Sequence, residues 1–267
     1  MSENDPRRLR KRERQDRILS ALNVNSALRI QQLSDNLGVS TETIRRDLSE
    51  LHDLRRIDRT YGGAVYRHRF EPALAERLLL NVHERQAIAL RAVELVGEAD
   101  AFMVGGGATA LHFARALRGA GDAATVITPA FGVAIELSEN SAIEALMLPG
   151  IYHPREGLVH GPETLAMIRR YRVQVAVIGA SALDASGVSE AMLSAGAIYS
   201  EMMACAERTL ILADHTKFGR RALTLVGPWH ANVTLICDRA PDADLAVAIA
   251  ENGAEIEIAT SHLPAVS

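Results

Sequence analysis

The segment 38–51, GVSTETIRRDLSEL, constrains the fold of this chain more than any other stretch of its sequence. Gly38 ends a short helical pattern, and Ser40 stands where the N-cap of a second helix belongs. In that second helix, Ile44, Leu48 and Leu51 fall within about 60° on a helical wheel. The segment therefore predicts two helices joined by a short glycine turn, the second with a narrow buried stripe.

The opposite face of the second helix carries residues suited to DNA. Arginine can pair with guanine edges or phosphates, and threonine can contact thymine methyl groups or phosphates. Two helices joined by a short glycine-containing turn form a helix-turn-helix, whose second helix enters the major groove. The predicted DNA contacts in this segment are Ser40, Thr41, Thr43, Arg45, Arg46 and Ser49.

A short hairpin follows the second helix. Residues 56–59 and 64–67 are expected to pair as strands across the turn at Gly62 and Gly63. A hairpin at this place is the wing of a winged helix, and its basic flanks can follow phosphates. The predicted DNA contacts in the hairpin are Arg56, Arg59 and Tyr61. These patterns predict a winged helix-turn-helix over residues 1–66.

The charge distribution agrees with a DNA-binding N-terminal segment. The whole chain has a net charge of -4. Residues 1–70 nevertheless contain 15 Lys and Arg against 10 Asp and Glu, and the remainder contains 14 against 23. A basic N-terminal segment followed by an acidic remainder indicates that only the N-terminal segment binds a polyanion. The alternative is an ordinary three-helix subdomain with solvated arginines.

Seven apolar, strand-like runs follow, with Ala-rich helical patterns between several of them. The runs span residues 101–105, 125–129, 144–150, 173–180, 209–214, 233–238 and 255–259. Alternating strands and helices predict a mostly parallel, Rossmann-like α/β sheet over residues 91–267. Residues 67–90 contain neither Gly nor Ser, so we expect a connecting helix there and not a flexible linker. The predicted fold class is α/β, with the winged helix-turn-helix in front.

The carboxyl ends of parallel strands are where such sheets bind ligands. Gly105, Gly106 and Gly107 lead into a helix whose first N–H groups can hold an anion, and Thr109 can add a hydroxyl. The same string fits a dinucleotide fingerprint, but no acidic residue ends the next strand and no P-loop lysine is present. We therefore expect no cofactor. A tight strand-to-helix turn without a ligand is the alternative.

Two further strand ends are followed by side chains that can bind a ligand. Asp184 can accept hydrogen bonds from sugar hydroxyls, and Lys217 can pair with a phosphate. A loop-capping Asp and a surface Lys are the alternatives. His215 follows Asp214, but the sequence offers no Ser or Cys partner for a triad, so we expect no catalytic residues. The cysteines, two in all, lack the spacing of a zinc site, and no metal site is predicted.

Residues 33–51 and 59–65, LSDNLGVSTETIRRDLSEL and RTYGGAV, resemble the DeoR family of bacterial transcriptional regulators. The resemblance extends through residues 70–96, 175–184 and 211–220 and covers nearly the whole chain. It implies a winged helix that usually represses transcription. It also implies a sensor domain similar in fold to ribose-5-phosphate isomerase, which typically binds phosphorylated sugars or related metabolites.

The resemblance implies an effector pocket at the strand ends. The implied effector residues are Gly105, Gly106, Gly107, Thr109, Thr128, Gly179, Asp184 and Lys217. The chain departs from the family pattern at several of these loops. Gly105 stands where the family commonly has Asp, and Tyr199 and Ser200 stand where it tends to have Lys and Arg. Losing a hydroxyl acceptor and two cations should alter the choice of ligand.

These patterns together predict a DNA-binding repressor controlled by a phosphorylated sugar or polyol. Its partners are a double-stranded DNA operator and a second copy of the chain, in a homodimer or homotetramer, since two-fold DNA readout disfavours a monomer. One alternative is a sugar-phosphate isomerase-like enzyme that carries a DNA-binding segment. Another is a regulator whose sensor no longer binds a sugar phosphate.

The expected location is cytoplasmic. The N-terminal residues show no apolar segment of a secretory signal, and no uninterrupted apolar run reaches about 18 residues. Cys205 and Cys237 form no CxxC pair, which fits a reducing compartment.

Overall fold

The computed structural model describes residues 11–24, 27–53, 57–60, 63–66, 72–97, 99–120 and 123–259. The chain divides into two compact units, Met1–Phe70 and Glu71–Ser267. Each unit has its own hydrophobic core. Among the helices in the described ranges, none is long and apolar enough to span a membrane.

The first unit is a small helical domain with a three-stranded antiparallel sheet. Its elements are α1 (Lys11–Val24), β1 (Ala27–Arg29), α2 (Ile30–Leu37), α3 (Thr41–Asp53), β2 (Ile57–Thr60) and β3 (Gly63–Tyr66). The strand order is β1-β3-β2, so the hairpin pairs with a strand that precedes α2. The core is built from apolar residues at helical spacing, among them Ile18, Leu33, Ile44 and Leu48. The predicted winged helix-turn-helix is confirmed.

The second unit alternates helices and strands. Its helices are α4 (Leu74–Arg77), α5 (Val82–Val96), α6 (Ala108–Ala120), α7 (Phe131–Ser138), α8 (Pro162–Ile168), α9 (Leu193–Ala204) and α10 (Ala243–Glu251). Its principal strands are β4 (Ala101–Val104), β5 (Ala124–Thr128), β6 (Ile143–Met147), β9 (Val173–Gly179), β12 (Ala206–Leu212), β14 (Val233–Cys237) and β15 (Glu255–Ile258).

The seven principal strands form one sheet in the order β15-β14-β12-β9-β4-β5-β6. Each neighbouring pair is parallel. These strands are the seven apolar runs of the sequence, so the predicted parallel sheet is confirmed. Residues such as Val175, Val177 and Ile211 are fully buried, which is typical of parallel strands covered on both faces.

Short antiparallel strands in the loops were not predicted. They are β7 (Ile151–His153), β8 (Leu158–His160), β10 (Ala182–Asp184), β11 (Gly187–Glu190) and β13 (Thr224–Gly227). β7 pairs with β8, and β11 lies between β10 and β13. Strands of three or four residues are too short for an alternating pattern to identify them.

The segment between the two domains differs from the single connecting helix expected over 67–90. Its described part, from residue 72, contains α4 and the start of α5 with a turn between them. Asn81 precedes α5 with φ 47°, in the left-handed region. Asn tolerates this conformation better than most residues, and a helix cannot continue through it. Both helices belong to the Glu71–Ser267 unit.

The sheet topology places a crevice between β4 and β9. From β4 the chain proceeds to β5 and β6 on one side, whereas β9 leads to β12, β14 and β15 on the other. Loops at such a switch point diverge, and the carboxyl ends of the two strands leave a space where ligands bind. The glycine loop after β4 and Gly179 at the end of β9 border this space.

Replacing Phe113 with Ala should lower the free energy of unfolding by about 3–5 kcal/mol. Phe113 on α6 is fully buried and meets the ring of Phe102 edge-on, with ring centroids 6.4 Å apart. Urea unfolding of the variant measures the change. Leu90→Ala on neighbouring α5 is the control, since Leu90 is 58% exposed. Equal losses in the two variants would contradict this packing.

Candidate functional site

The turn between α2 and α3 has the geometry that the sequence predicts. Gly38 has φ 62°, a conformation that glycine adopts without steric cost, and its N–H donates to the Ser34 carbonyl to close α2. The Ser40 hydroxyl accepts a hydrogen bond from the Thr43 N–H at 3.2 Å. The predicted N-cap at Ser40 is confirmed, and α3 starts at the next residue.

One face of α3 is fixed against the first unit. Ile44, Leu48 and Leu51 are buried, as the stripe predicts. Asp47 is buried as well, and its carboxylate accepts two hydrogen bonds from the Arg14 guanidinium on α1, one of them at 3.0 Å. A bidentate pair of this kind sets both distance and orientation. It therefore holds α3 at a defined angle to α1.

The other face of α3 is open. The Arg46 side chain is 79% exposed, and Arg45 is exposed beside it. Their guanidinium groups lie 3.6 and 3.7 Å from the Glu42 carboxylate. Such surface pairs are worth little, so a phosphate or a base edge can replace Glu42. Thr41, Thr43 and Ser49 on this helix are partly exposed.

The hairpin after α3 is present, with β2 and β3 in antiparallel register. The backbone of Arg59 pairs with Ala64 across it. Arg56 and Tyr61 lie outside the described residues, and the side chain of Arg59 is not among those described. The predicted DNA contacts from the hairpin stay predictions.

A cleft in the second unit lies at the carboxyl ends of β4 and β9. It is a cleft partly open to solvent, lined by residues of these strand ends and of the neighbouring helices. The structure brings five of the predicted effector residues to its walls. They are Gly106, Gly107, Thr109, Gly179 and Lys217.

Three predicted effector residues are not among the lining residues of the cleft. Gly105 lies behind the loop, where its N–H donates to the Val177 carbonyl at 2.9 Å. Thr128 is fully buried, and its hydroxyl accepts from the Ala130 N–H. Gly105 has no side chain, and the side chain of Thr128 bonds to the local backbone, so neither is a lining residue of the cleft.

Asp184, the third, is engaged in its own loop. Its carboxylate accepts from the Ser186 N–H at 2.9 Å and pairs with Arg221 at 2.8 Å. Burial raises the pKa of Asp184, but the hydrogen bonds from Ser186 and the charge of Arg221 outweigh burial. The pKa of Asp184 therefore lies below its usual value. Asp184 therefore acts as an ionised cap of its turn.

A buried ion pair that the sequence did not predict forms one wall of the cleft. Arg85 on α5 lies 3.2 Å from Asp214, which follows β12. The two side chains are 4% and 0% exposed. Asn81 and Thr216 also donate to the Asp214 carboxylate. The charges of the pair are thus compensated and hydrogen-bonded, which a buried pair requires.

The charge of Asp214 is maintained by these partners. Burial pushes the pKa of Asp214 upward, but the Thr216 hydrogen bond and the charges of Lys217 and Arg85 outweigh it. The pKa therefore lies below its usual value, and the carboxylate is ionised at neutral pH.

A second ion pair continues this wall. Arg77 on α4 lies 2.5 Å from Glu156, in the turn between β7 and β8. Arg85 also donates to the carbonyl of Arg77. The two arginines and two carboxylates thus form a continuous chain that joins α4 and α5 to loops at the strand ends. No local sequence pattern distinguishes these arginines from surface ones.

Glu190 and Tyr199 complete the cleft on its other side. Glu190 accepts hydrogen bonds from the Ser181 hydroxyl at 2.7 Å and the Ala191 N–H at 2.8 Å. The Tyr199 hydroxyl accepts from the Gly106 N–H at 3.1 Å. Burial, above all, raises the pKa of Tyr199 beyond its ordinary value, so the phenol stays protonated.

The cleft combines a glycine loop at the start of a helix with near-balanced side-chain charges. The first N–H groups of a helix such as α6 have no partner within the helix, and the positive end of the helix dipole lies there. The cations Arg77 and Arg85 already face Glu156 and Asp214. The arrangement suits a small ligand with an anionic group at the loop and hydroxyl groups elsewhere.

The chain matches two family models. Residues 14–70 match a DeoR-like helix-turn-helix domain, and residues 80–239 match a DeoR C terminal sensor domain. The second match alone covers more than half of the chain. The matched ranges contain α3 and the residues that line the cleft, apart from Arg77.

Curated relatives are similar over most of their length. The uncharacterized HTH-type transcriptional regulator YulB of Bacillus subtilis is 30% identical over 86% of this chain and 90% of its own. The HTH-type transcriptional repressor GlcR of the same organism is 28% identical, over 91% and 95%. The lactose phosphotransferase system repressor of Lactococcus lactis is 29% identical, over 79% and 85%.

Likeness to solved structures is weaker. The ribose 5 phosphate isomerase A from Neisseria gonorrhoeae aligns with 50% of this chain and 52% of its own. The identity is 16% and the TM-score is 0.37. At this level no argument about function rests on the likeness.

Replacing Asp214 with Asn should lower the free energy of unfolding by about 3–5 kcal/mol at neutral pH, because the buried Arg85 would lose its counter-charge. The folded pKa of Asp214 lies below its unfolded value. Its stabilisation is therefore complete above about pH 4–5 and is lost as the pH falls through the folded pKa. Urea unfolding at pH 7 and pH 3 should show the gap between parent and variant shrinking in acid.

Asp244→Asn is the matched control, since Asp244 is exposed at the start of α10. We expect it to change stability by less than about 0.5 kcal/mol at both pH values. An Asp214→Asn protein as stable as this control at pH 7 would show that the ion pair does not hold the unit together.

Proposed function

This chain belongs to the DeoR family of DNA-binding transcription regulators, and we propose that it represses transcription under control of a phosphorylated sugar or polyol bound in the cleft. The observation that carries the proposal is the pairing of an open, arginine-bearing α3 with a separate unit whose cleft has an anion-binding loop. In this assignment residues 1–66 bind DNA, 67–90 connect, and 91–267 sense the effector. The protein acts in the cytoplasm, where its operator lies.

We propose that α3 lies in the major groove of the operator. Its buried stripe is occupied by the core, so only the polar face can meet DNA. Arg46 is the more exposed of its two arginines and would read a base edge, while Arg45 and the Ser40 end of the helix would contact phosphates. The hairpin residues Arg56, Arg59 and Tyr61 would add contacts to the sugar-phosphate backbone of the DNA. The protein binds as a homodimer or homotetramer, which matches a two-fold operator.

The effector proposal rests on the cleft. Gly107, Thr109 and the first turn of α6 would hold a phosphate, with Lys217 at its edge. The name of the Lactococcus relative, which refers to a lactose phosphotransferase system, supports a carbohydrate-type effector. Effector binding changes DNA affinity only if the free and DNA-bound conformations bind the effector differently.

We propose that the chain is not an enzyme. The isomerase alternative needs a carboxylate and a lysine that converge on one pocket. Lys217 lines the cleft together with Glu156 and Glu190. Glu156 is paired with Arg77, however, and Glu190 accepts hydrogen bonds from its own loop. Asp184 is held in its own loop by Arg221. His215 is hydrogen-bonded to Asp238 at 2.7 Å. A turnover assay with aldose and ketose phosphates tests this part of the proposal, and measurable isomerisation would overturn it.

Replacing Arg46 with Ala should weaken operator binding by about 1–3 kcal/mol, because a base contact would be lost. Fluorescence anisotropy with operator DNA and with random DNA, at one fixed salt concentration, measures the change. A lost base contact weakens operator binding selectively, whereas a lost phosphate contact weakens both.

Arg239→Ala removes another exposed arginine, from the second unit, and serves as the control for net charge. Its operator affinity should equal that of the parent. If Arg46→Ala also binds as tightly as the parent, α3 does not face the groove as proposed.

A further inference from the structure

A polar seam joins α1 to α3 in the first unit, in addition to the apolar stripe of α3. The seam consists of Lys11, Arg14 and Gln15 on one face of α1 and of Asp47 and Glu50 on α3. Arg14 donates to Asp47 at 3.0 Å. Lys11 and Gln15 donate to Glu50 at 2.7 and 2.9 Å. Two carboxylates of α3 are thus directed at α1.

The pair of Arg14 and Asp47 is the directional part of the seam. Its side chains are 12% and 3% exposed, and the guanidinium donates to both carboxylate oxygens. A planar fork on a carboxylate fixes orientation as well as distance. The contacts of Glu50 are weaker, because its side chain is 44% exposed.

The apolar stripe alone does not fix the rotation of α3 so strictly. Burial of Ile44, Leu48 and Leu51 is favourable in any orientation that keeps them out of water, because the hydrophobic effect has no direction. Recognition of a base edge requires supporting contacts that hold a side chain to within about 0.5 Å and 10–20°. Arg46 precedes Asp47 on the same turn of α3, so a rotation at Asp47 moves Arg46 with it.

Folding by itself does not require a charged pair at this position. A buried ion pair loses its hydration, and well-packed apolar side chains of similar size are often equally stable in its place or more stable. Apolar side chains cannot supply two parallel hydrogen bonds, however. The Arg14–Asp47 pair therefore differs from an apolar pair chiefly in the orientation that it imposes on α3.

We infer that Arg14 and Asp47 are positioning residues for DNA recognition, whose bidentate pair sets the rotation of α3 so that Arg46 meets a base edge. Neither residue of the pair contacts DNA in this assignment. The inference rests on the proposed function, since it takes α3 to be the helix in the major groove. It adds a determinant of operator specificity on α1, outside the helix-turn-helix that α2 and α3 form.

The test compares the affinities for operator and random DNA by fluorescence anisotropy, over a range of salt concentrations. The protein is the whole chain, and the operator is the genomic fragment that the parent selects. Arg14→Met with Asp47→Leu replaces the pair by apolar side chains and leaves the net charge unchanged. Arg14→Lys keeps the charge but loses the planar fork. Thermal unfolding of each variant shows whether it is folded.

The matched control is Arg17→Met with Glu13→Leu. It makes the corresponding substitutions at an ion pair within α1 whose side chains are 58% and 52% exposed. Such a pair contributes little, so the ratio of operator to random-DNA affinity should stay within about twofold of the parent ratio.

We expect the apolar pair to keep the melting temperature at or above that of the parent. Affinity for random DNA and its salt dependence should be unchanged, since phosphate contacts dominate both. The ratio of operator to random-DNA affinity should fall by about tenfold, within the loss that a disturbed base contact causes. Arg14→Lys should lower the ratio by about three- to fivefold, because one of two parallel hydrogen bonds is lost.

A second comparison shows whether the pair acts through Arg46. In an Arg46→Ala background, the apolar pair should cause little further loss of the ratio, because the contact that the ion pair positions is already absent. This cycle also separates the effect on Arg46 from any other contact that Arg14 makes.

Three results would overturn the inference. In the first, a folded apolar-pair variant discriminates operator from random DNA as well as the parent, so the pair serves stability alone. In the second, operator and random DNA are weakened equally. In the third, the apolar pair and Arg46→Ala are fully additive. If the apolar pair does not fold, Arg14→Lys decides by the same ratio.

Failure of the proposed function is distinguishable from failure of the inference. A parent that binds no genomic fragment more tightly than random DNA would overturn the DNA-binding assignment of α3, and the inference with it. A parent that discriminates, beside Arg14 variants that discriminate equally well, would leave the proposed function in place and overturn the inference alone.

Discussion

The buried pair of Arg85 and Asp214 is the interaction on which the cleft depends. It joins α5 to the end of β12 across 129 residues of sequence. A charge placed out of water needs its partner, so the two elements cannot separate without a large loss of free energy. Asn81, in its left-handed conformation, and Thr216 donate to the same carboxylate. The helices at the start of the second unit are thereby fixed against the strand ends where a ligand would bind.

This arrangement also explains why the cleft is not strongly cationic. The arginines that line it serve structural ion pairs, and their charges are largely used within the protein. In the proposed site, the start of α6 would attract an anion, with Lys217 beside it. In the first unit the buried Arg14–Asp47 pair likewise fixes a helix and leaves other arginines exposed. In both units a buried pair fixes a helix that borders a proposed binding surface.

Local and periodic features of the fold could be predicted from the sequence. The stripe on α3, the cap at Ser40 and the seven parallel strands each depend on residues a few positions apart. The residues around the cleft were harder to predict from the sequence. Tyr199, for example, accepts a hydrogen bond from Gly106, which is 93 positions away, and no periodic pattern indicates such a contact. Thr128 and Asp184 follow predicted strands, yet the structure turns their side chains to local partners. A strand end identifies a region of the sheet, whereas the direction of each side chain depends on loops that the sequence does not specify.

The most direct measurement is fluorescence anisotropy of the protein on DNA from upstream of its own coding region. It is made at fixed salt, with and without a panel of phosphorylated and unphosphorylated sugars and polyols. The account predicts binding tighter than to random DNA, which one class of phosphorylated sugar or polyol weakens or strengthens. Specific binding that no compound changes would contradict the sensor assignment. Binding no tighter than to random DNA, on this fragment and on genomic fragments selected with the protein, would contradict the account of α3.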